Sequence, residues 1–229
     1  MERILVIAAH PDDEVLGCGA TIFKLSQLGK VVKVLILGEG STCRYQGNEI
    51  TSEIAQAAIL QRTSFAKDSM KVLGVDDYSF LNYPCGRFDT IPLIELGQRI
   101  ESVIDDFQPD TVFTHSAFDT NNDHKLSFQA ALQATRPFPS QVVQRLLSYE
   151  VLSSTEWSFS EAFKPNYFID ITKSIDAKIE AFNCYSETES GEFPHPRCDE
   201  GLLILAKQRG MQVGLKYAEA FVMIRDIKK

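Results

Sequence analysis

Ile4-Leu5-Val6-Ile7-Ala8-Ala9-His10-Pro11-Asp12-Asp13-Glu14 runs from six uncharged apolar residues straight into an imidazole and three carboxylates. A charge-free apolar run reads as a strand buried on both faces, the kind found in parallel sheets. The C-terminal end of such a strand is where open α/β sheets hold ligands. Carboxylates crowded at that end repel a phosphate and attract a divalent cation. His-Pro also suits a turn, and Asp-Asp-Glu suits a helix N-terminus. Capping needs only one or two acidic residues and leaves the histidine unexplained. The stretch therefore reads as a metal site on a strand end.

Working outward, Glu14–Leu28 has helical spacing and Gly29 as a stop, and Val31–Leu37 is a second apolar strand. Residues 41–49 are polar and turn-rich, and the helical pattern from Thr51 ends at Leu73-Gly74. A strand is expected at Asp77–Leu81, a helix at Ile94–Phe107 and a strand at Thr111–Thr114. Beyond these come a loop through Asp123, a helix from there to about Arg136, strands at Leu146–Leu152 and Tyr167–Ile171, and helices at Ser174–Tyr185 and Cys198–Arg209. Ala218–Ile224 reads as either helix or strand. Strands alternating with helices imply a mostly parallel sheet with right-handed crossovers, a three-layer Rossmann-like α/β fold. With no repeat, low-complexity tract or linker, residues 1–229 are expected to form one domain.

Composition narrows the function. A net charge of −8 argues against nucleic acid or an anionic membrane as the main partner. No segment reaches the length of a transmembrane span, and the N-terminus lacks the features of a signal peptide. The five cysteines are scattered without a Cys-x-x-Cys pair, which fits free thiols in a cytoplasmic protein.

Four histidines remain to be placed: His10, His115, His124 and His195. His10 ends the first strand, and His115 ends the fourth, with His124 nine residues on in Asp119-Thr120-Asn121-Asn122-Asp123-His124. Loops after parallel strands meet on one edge of the sheet, so these residues can converge there. His10, Asp13 and His124 would form a two-histidine, one-carboxylate set with an open position for water, the ligand count of a hydrolytic zinc site.

Ala9-His10-Pro11-Asp12-Asp13-Glu14 with Gly17 resembles the N-terminal signature of the PIG-L (LmbE-like) zinc-dependent N-deacetylases, and Asp123-His124 resembles that family's second metal motif. Gly38-Glu39, Leu73-Gly74-Val75, Phe80-Leu81, Pro194-His195-Pro196-Arg197 and Ala218-Glu219-Ala220-Phe221 add support in combination. The resemblance implies hydrolysis of an N-acetyl group, usually on an amino sugar. It implies that His10, Asp13 and His124 bind Zn2+, with Fe2+ as the other candidate, and that Asp12 is the general base. Amide hydrolysis needs an activated water, a Lewis acid and a proton donor for the leaving amine, and Asp12 can both take and return the proton. Glu14 is explained equally well by helix stabilisation.

Two departures stand out. Many relatives carry a histidine three residues before the second-motif ligand; here it is Asn121, which donates a hydrogen bond but no proton. Asp12 then handles both transfers, or His195 contributes, with His115 the next candidate. His115 and Asp123 otherwise read as orienting partners for the ligands. Relatives also often carry Asp-Gly after the third strand where this chain has Cys85-Gly86. Arg87 and Asp89 can take over that sugar contact, and Arg44 and Arg197 can fork onto a phosphate or carboxylate of the substrate.

A dinucleotide-binding module would want Gly-x-Gly-x-x-Gly at the first turn, which instead holds carboxylates. Two nearer rivals are an amidase acting on a non-sugar or thiol conjugate and a metal-binding homologue without catalysis. The expectation is a cytoplasmic deacetylase of an N-acetylated sugar, free or linked to a nucleotide or lipid, from glycan, cell-envelope or natural-product biosynthesis. A homo-oligomer is left open.

Overall fold

Along the first strand, β1 (Arg3–Ala8), side chains alternate between two cores. Ile4, Val6 and Ala8 enter one hydrophobic cluster, while Leu5 and Ile7, followed by Ala9, enter the other. Both faces are buried, which is why the sequence there shows no polar alternation. The computed structural model describes residues 1–228 of the 229-residue chain.

The chain continues through α1 (Asp13–Gln27), β2 (Val31–Gly38), α2 (Glu53–Leu73), β3 (Asp77–Tyr83), α3 (Leu93–Phe107), β4 (Thr111–Thr114) and α4 (Asn122–Ala134). It then forms β5 (Arg145–Tyr149), β6 (Tyr167–Asp170), α5 (Ile175–Asn183), the single turn α6 (Ser186–Glu189), α7 (Asp199–Met211) and β7 (Ala218–Asp226). Seven strands make one sheet in the order β3-β2-β1-β4-β5-β7-β6. The first five run parallel, and β7 inserts antiparallel between β5 and β6. One core packs α1, α2 and α5 residues such as Leu16, Met70 and Phe182 on the sheet; the other packs Leu96, Ile100 and Ala131 of α3 and α4. The three-layer, mostly parallel fold follows.

Because β2 lies on one side of β1 and β4 on the other, the strand order reverses between β1 and β4. That switch point opens a crevice at the C-terminal ends of both strands. The loops carrying residues 9–13 and 115–124 start there.

Three local readings are adjusted. Residues 218–224 are strand, completing the sheet between β5 and β6. The strand expected at 146–152 ends at Tyr149, since Val151 turns back to bond with Thr155 through its N–H and its carbonyl. Helix α1 kinks at Cys18 (φ −150°). A buried Lys178–Glu219 pair satisfies the opened backbone: Lys178 donates to the Leu16 carbonyl, and Glu219 accepts from Ala20 and Thr21 N–H. Gly17, just before the kink, has no room for a side chain, because a Cβ would overlap the Tyr149 ring. No helix among the described residues is long and apolar enough to cross a membrane.

Candidate metal centre

His10 and Asp13 flank the turn between β1 and α1, and His124 lies in the first turn of α4. Their ligand atoms all lie within 4.8 Å of one another, and all three side chains are buried. Asp13 Oδ2 is the hub: it stands 3.4 Å from His10 Nδ1 and 3.3 Å from His124 Nε2, and accepts the His10 backbone N–H at 2.9 Å. The other nitrogen of each imidazole is held by a carboxylate. His10 Nε2 meets Asp123 Oδ2 at 2.9 Å, and His124 Nδ1 meets Asp119 Oδ2 at 3.2 Å. Such outer carboxylates fix which nitrogen of a ligating histidine faces the ion.

The electrostatics fit a cation. Burial works against charge on His124, yet Asp13 and Asp119 overcome it and push the imidazole up to about 10. Burial also opposes charge on His10, and hydrogen bonds to Asp123 and Asp13 still raise it. Three buried carboxylates thus draw positive charge onto two imidazoles. A divalent ion supplies that charge while leaving both rings neutral and free to ligate. The donor set of two imidazole nitrogens and one carboxylate oxygen suits zinc or ferrous iron.

Asp123 also accepts N–H groups from Gly86 (2.6 Å) and Phe88 (3.1 Å), tying the loop after β3 to the site. The Cys85 thiol joins His10 and Asp123 as a second potential donor group beside the first. His115 is fully buried, stacks on His124 with ring centroids 4.0 Å apart, and accepts the Ala9 N–H at Nε2 (2.8 Å). Burial and the neighbouring His124 push it down to about 3, so it is neutral and supports the ligand ring from behind.

Asp12 sits in the left-handed backbone region (φ 110°), which non-glycine residues rarely adopt. Its N–H is fixed by Glu14 Oε2 (3.0 Å), and Glu14 Oε1 takes the Tyr185 hydroxyl at 2.7 Å. Arg197 Nη1 and Arg62 Nη2 both reach Asp12 Oδ2, at 2.8 and 3.1 Å. Burial raises this carboxyl and the two guanidiniums pull it back, leaving it at about 6. Arg62 also grips the Pro11 carbonyl with Nε and Nη2 and pairs with Glu189, which Arg44 reaches at 2.7 Å.

The remaining residues singled out from sequence fall differently. Asn121 is the N-cap of α4, its Oδ1 accepting the Asp123 N–H. His195 is exposed, and its Nδ1 accepts the Arg197 N–H at 3.2 Å. Arg87 spends its donors on carbonyl oxygens of Thr42, Tyr45 and Cys85, bridging two loops, while Asp89 is exposed. Arg44 is paired with Glu189 and Arg197 with Asp12. Asp119, Arg62, Glu189 and Tyr185 join the site without having stood out in the sequence. Asp119 alone left a signal, five residues before His124 in the same polar loop.

The family model described as PIG-L, GlcNAc-PI de-N-acetylase, matches residues 5–135. The diacetylchitobiose deacetylase of Thermococcus kodakarensis is 27% identical, over 99% of this chain and 85% of its own length. The structure of N,N'-diacetylchitobiose deacetylase from Pyrococcus horikoshii superposes with a TM-score of 0.78 at 22% identity, covering 98% of this chain and 84% of that one. The 4-carboxy-2-hydroxymuconate hydratase of Pseudomonas putida superposes equally well (TM-score 0.77, 24% identity, 100% and 98% covered). A hydratase on the same fold means that the fold alone does not choose the reaction.

Proposed function

The chain belongs to the PIG-L family of GlcNAc-PI de-N-acetylases, and on that premise we propose that it is a metal-dependent hydrolase that removes the N-acetyl group of an amino sugar or sugar conjugate. The observation that carries the reading is Asp12 beside the His10–Asp13–His124 set, a buried carboxylate at about 6 next to three potential ligands. Relatives along most of the chain are named as sugar deacetylases, which supports the substrate class.

His10, Asp13 and His124 would hold the ion. A divalent metal supplies Lewis-acid polarisation and a water acidic enough to be activated near neutral pH. The chain's own residues do the rest. Asp12 takes the proton of the attacking water, and because Oδ2 is claimed by two arginines, Oδ1 is the oxygen assigned to receive it. A carboxyl near 6 is close enough to neutrality to accept a proton and give it back. Neither Asn121, a helix cap, nor His115, a neutral ring behind the site, serves as a donor. Both transfers are assigned to Asp12, which adjoins the ligand Asp13. Asp119 and Asp123 aim the ligand imidazoles.

We assign zinc as the native ion, one domain for residues 1–229 and a cytoplasmic setting on the same reading. The test is acetate release from N-acetylglucosamine, N,N'-diacetylchitobiose and a nucleotide-linked N-acetylhexosamine, with Asp12→Asn alongside. Release from at least one sugar, abolished in the variant, supports the assignment; release undiminished in Asp12→Asn refutes it.

A further inference from the structure

Cys43 and Cys85 come from different loops, and their thiols hydrogen-bond each other beside the metal centre. Cys43 is exposed, in the short 3-10 turn Thr42–Arg44 after β2; Cys85 is buried, in the loop after β3. The other three thiols have different surroundings. Cys198 Sγ bonds the His195 carbonyl and the Gly201 N–H, Cys184 Sγ bonds the Glu180 carbonyl, and Cys18 is sealed in the core.

The two loops are anchored to the same side chains. Buried Glu39 accepts the Cys85 N–H at Oε1 (2.7 Å) and the Ser41 and Thr42 N–H groups at Oε2 (2.5 and 3.0 Å). Arg87 Nη1 donates to the carbonyls of Cys85 (3.0 Å) and Thr42 (3.4 Å). Gly86, at φ +73°, packs so closely on the turn that a Cβ there would stand 3.1 Å from Cys43 Cβ. A disulfide forms only between side chains already close and aimed at each other, and here the sulfurs need only close to the ~2.05 Å of the bond.

The sulfurs differ in access. Cys43 meets solvent, and the hydrogen bond from Cys85 with the nearby charge of Arg44 lowers its thiol below the ordinary value despite partial burial. Exposure and thiolate character mark the sulfur that an oxidant reaches first, and a neighbouring thiol resolves the product. Cys85 leads inward. Its Sγ lies within 4.8 Å of donor atoms of His10 and Asp123, and the next N–H, that of Gly86, donates to Asp123 Oδ2 at 2.6 Å. Asp123 Oδ2 in turn holds His10 Nε2 at 2.9 Å.

We propose that Cys43 and Cys85 are a reversible disulfide pair, oxidised by hydrogen peroxide, and that closing it loosens the hold of the centre on its ion. The Cys43 sulfur attacks one peroxide oxygen: the O–O bond breaks, an S–O bond forms, and the second oxygen leaves as hydroxide, which takes up the proton lost by Cys43. The Cys85 sulfur then attacks Cys43 sulfur, the S–S bond forms, and the hydroxyl departs with the Cys85 proton as a second water. Two thiols are oxidised and one peroxide is reduced to two waters. Cys85 is thereby drawn toward the turn at Cys43, which shifts the Gly86 N–H on Asp123 and with it the support of His10. The loosening rests on His10 being a ligand; the disulfide does not.

The zinc-loaded full chain is treated with hydrogen peroxide, quenched with catalase and divided between thiol counting, peptide mapping without reductant, and competition for the ion with a chelator. The thiol count is expected to fall by two and to recover with dithiothreitol, and the map to show one linked pair, Cys43 with Cys85. In Cys85→Ser the reaction should stop at a sulfenic acid on Cys43, captured by dimedone; in Cys43→Ser no thiol should be lost. The oxidised wild type should yield its ion at chelator concentrations about 10–100-fold below those the reduced protein withstands, the range for losing an outer support of a ligand. Peroxide should leave Cys43→Ser unmoved in that assay. A link between other cysteines, thiol loss that persists in Cys43→Ser, or an unchanged thiol count under excess peroxide would overturn the pair. A linked pair with the ion held as before would overturn its control of the centre. A linked pair in a chain that takes up no zinc keeps the disulfide and removes the metal reading.

Discussion

Asp119 and His124 are joined across 3.2 Å, carboxylate Oδ2 to imidazole Nδ1, and this contact turns His124 Nε2 toward Asp13. The six residues 119–124 thus carry a ligand and its orienting partner, and through Ser154 and Thr155 Asp119 also holds the turn Thr155–Trp157. Losing an outer partner of this kind typically weakens metal binding about 10–100-fold. Asp119→Ala is accordingly expected to release the ion to a competing chelator at concentrations 10–100-fold below those the wild type withstands. Circular dichroism of the variant should remain that of the native fold.

Asp12→Asn keeps the volume and removes the base. General acid–base catalysis contributes about 10²–10⁴-fold, so kcat for acetate release should fall by that factor. Metal content, measured by elemental analysis on dialysed protein, should stay at the wild-type value. A variant that loses its metal as well would assign Asp12 to the ligand set.

The arginines around Asp12 separate by burial. Arg62 is 4% exposed, and its removal leaves Asp12 and Glu189 short of a buried partner. Breaking such a pair costs about 3–5 kcal/mol, and for a chain of this length Arg62→Ala should lower Tm by roughly 10 °C. Arg44 has its side chain 47% exposed, so Arg44→Ala should change stability by no more than about 1 kcal/mol. Differential scanning calorimetry on the two variants reads the contrast.

Asp110 gives a pH-dependent prediction away from the metal centre. Burial opposes its ionisation, but hydrogen bonds from Thr111, Arg3 and Glu2 win and hold the carboxyl below its ordinary value of 3.8. A carboxyl lowered on folding stabilises the protein fully above the unfolded pKa and loses that effect as pH falls through the folded one. Asp110→Asn should therefore melt below the wild type at pH 7, and the gap should close as the pH falls below the carboxyl's ordinary value of 3.8. A gap that widens in acid would contradict the assignment.

Much of this was readable from residues 4–14 because β1 is buried on both faces and enters a turn that can serve only a few chemistries. The fold class followed from the strand–helix alternation, and His124 from a second polar motif at a neighbouring strand end. What stayed hidden came from elsewhere in the chain. Arg62 is an arginine in the middle of α2, and Glu189 is an acid in a four-residue helix. Neither spacing announces that the two meet at Asp12. From its spacing Asn121 reads as a catalytic amide, whereas its side-chain carbonyl oxygen is used to start α4. The apolar run of Ala218–Ile224 suits either element, and only pairing with β5 and β6 makes it a strand.

The central claim is that His10, Asp13 and His124 together hold one ion that the reaction requires. Its most direct test is acetate release by chelated, dialysed enzyme as Zn2+ is added back in fractions of an equivalent. The account predicts no release from the metal-free chain, then a linear recovery that levels near one ion per chain. Acetate release by the metal-free chain at the untreated rate would contradict it.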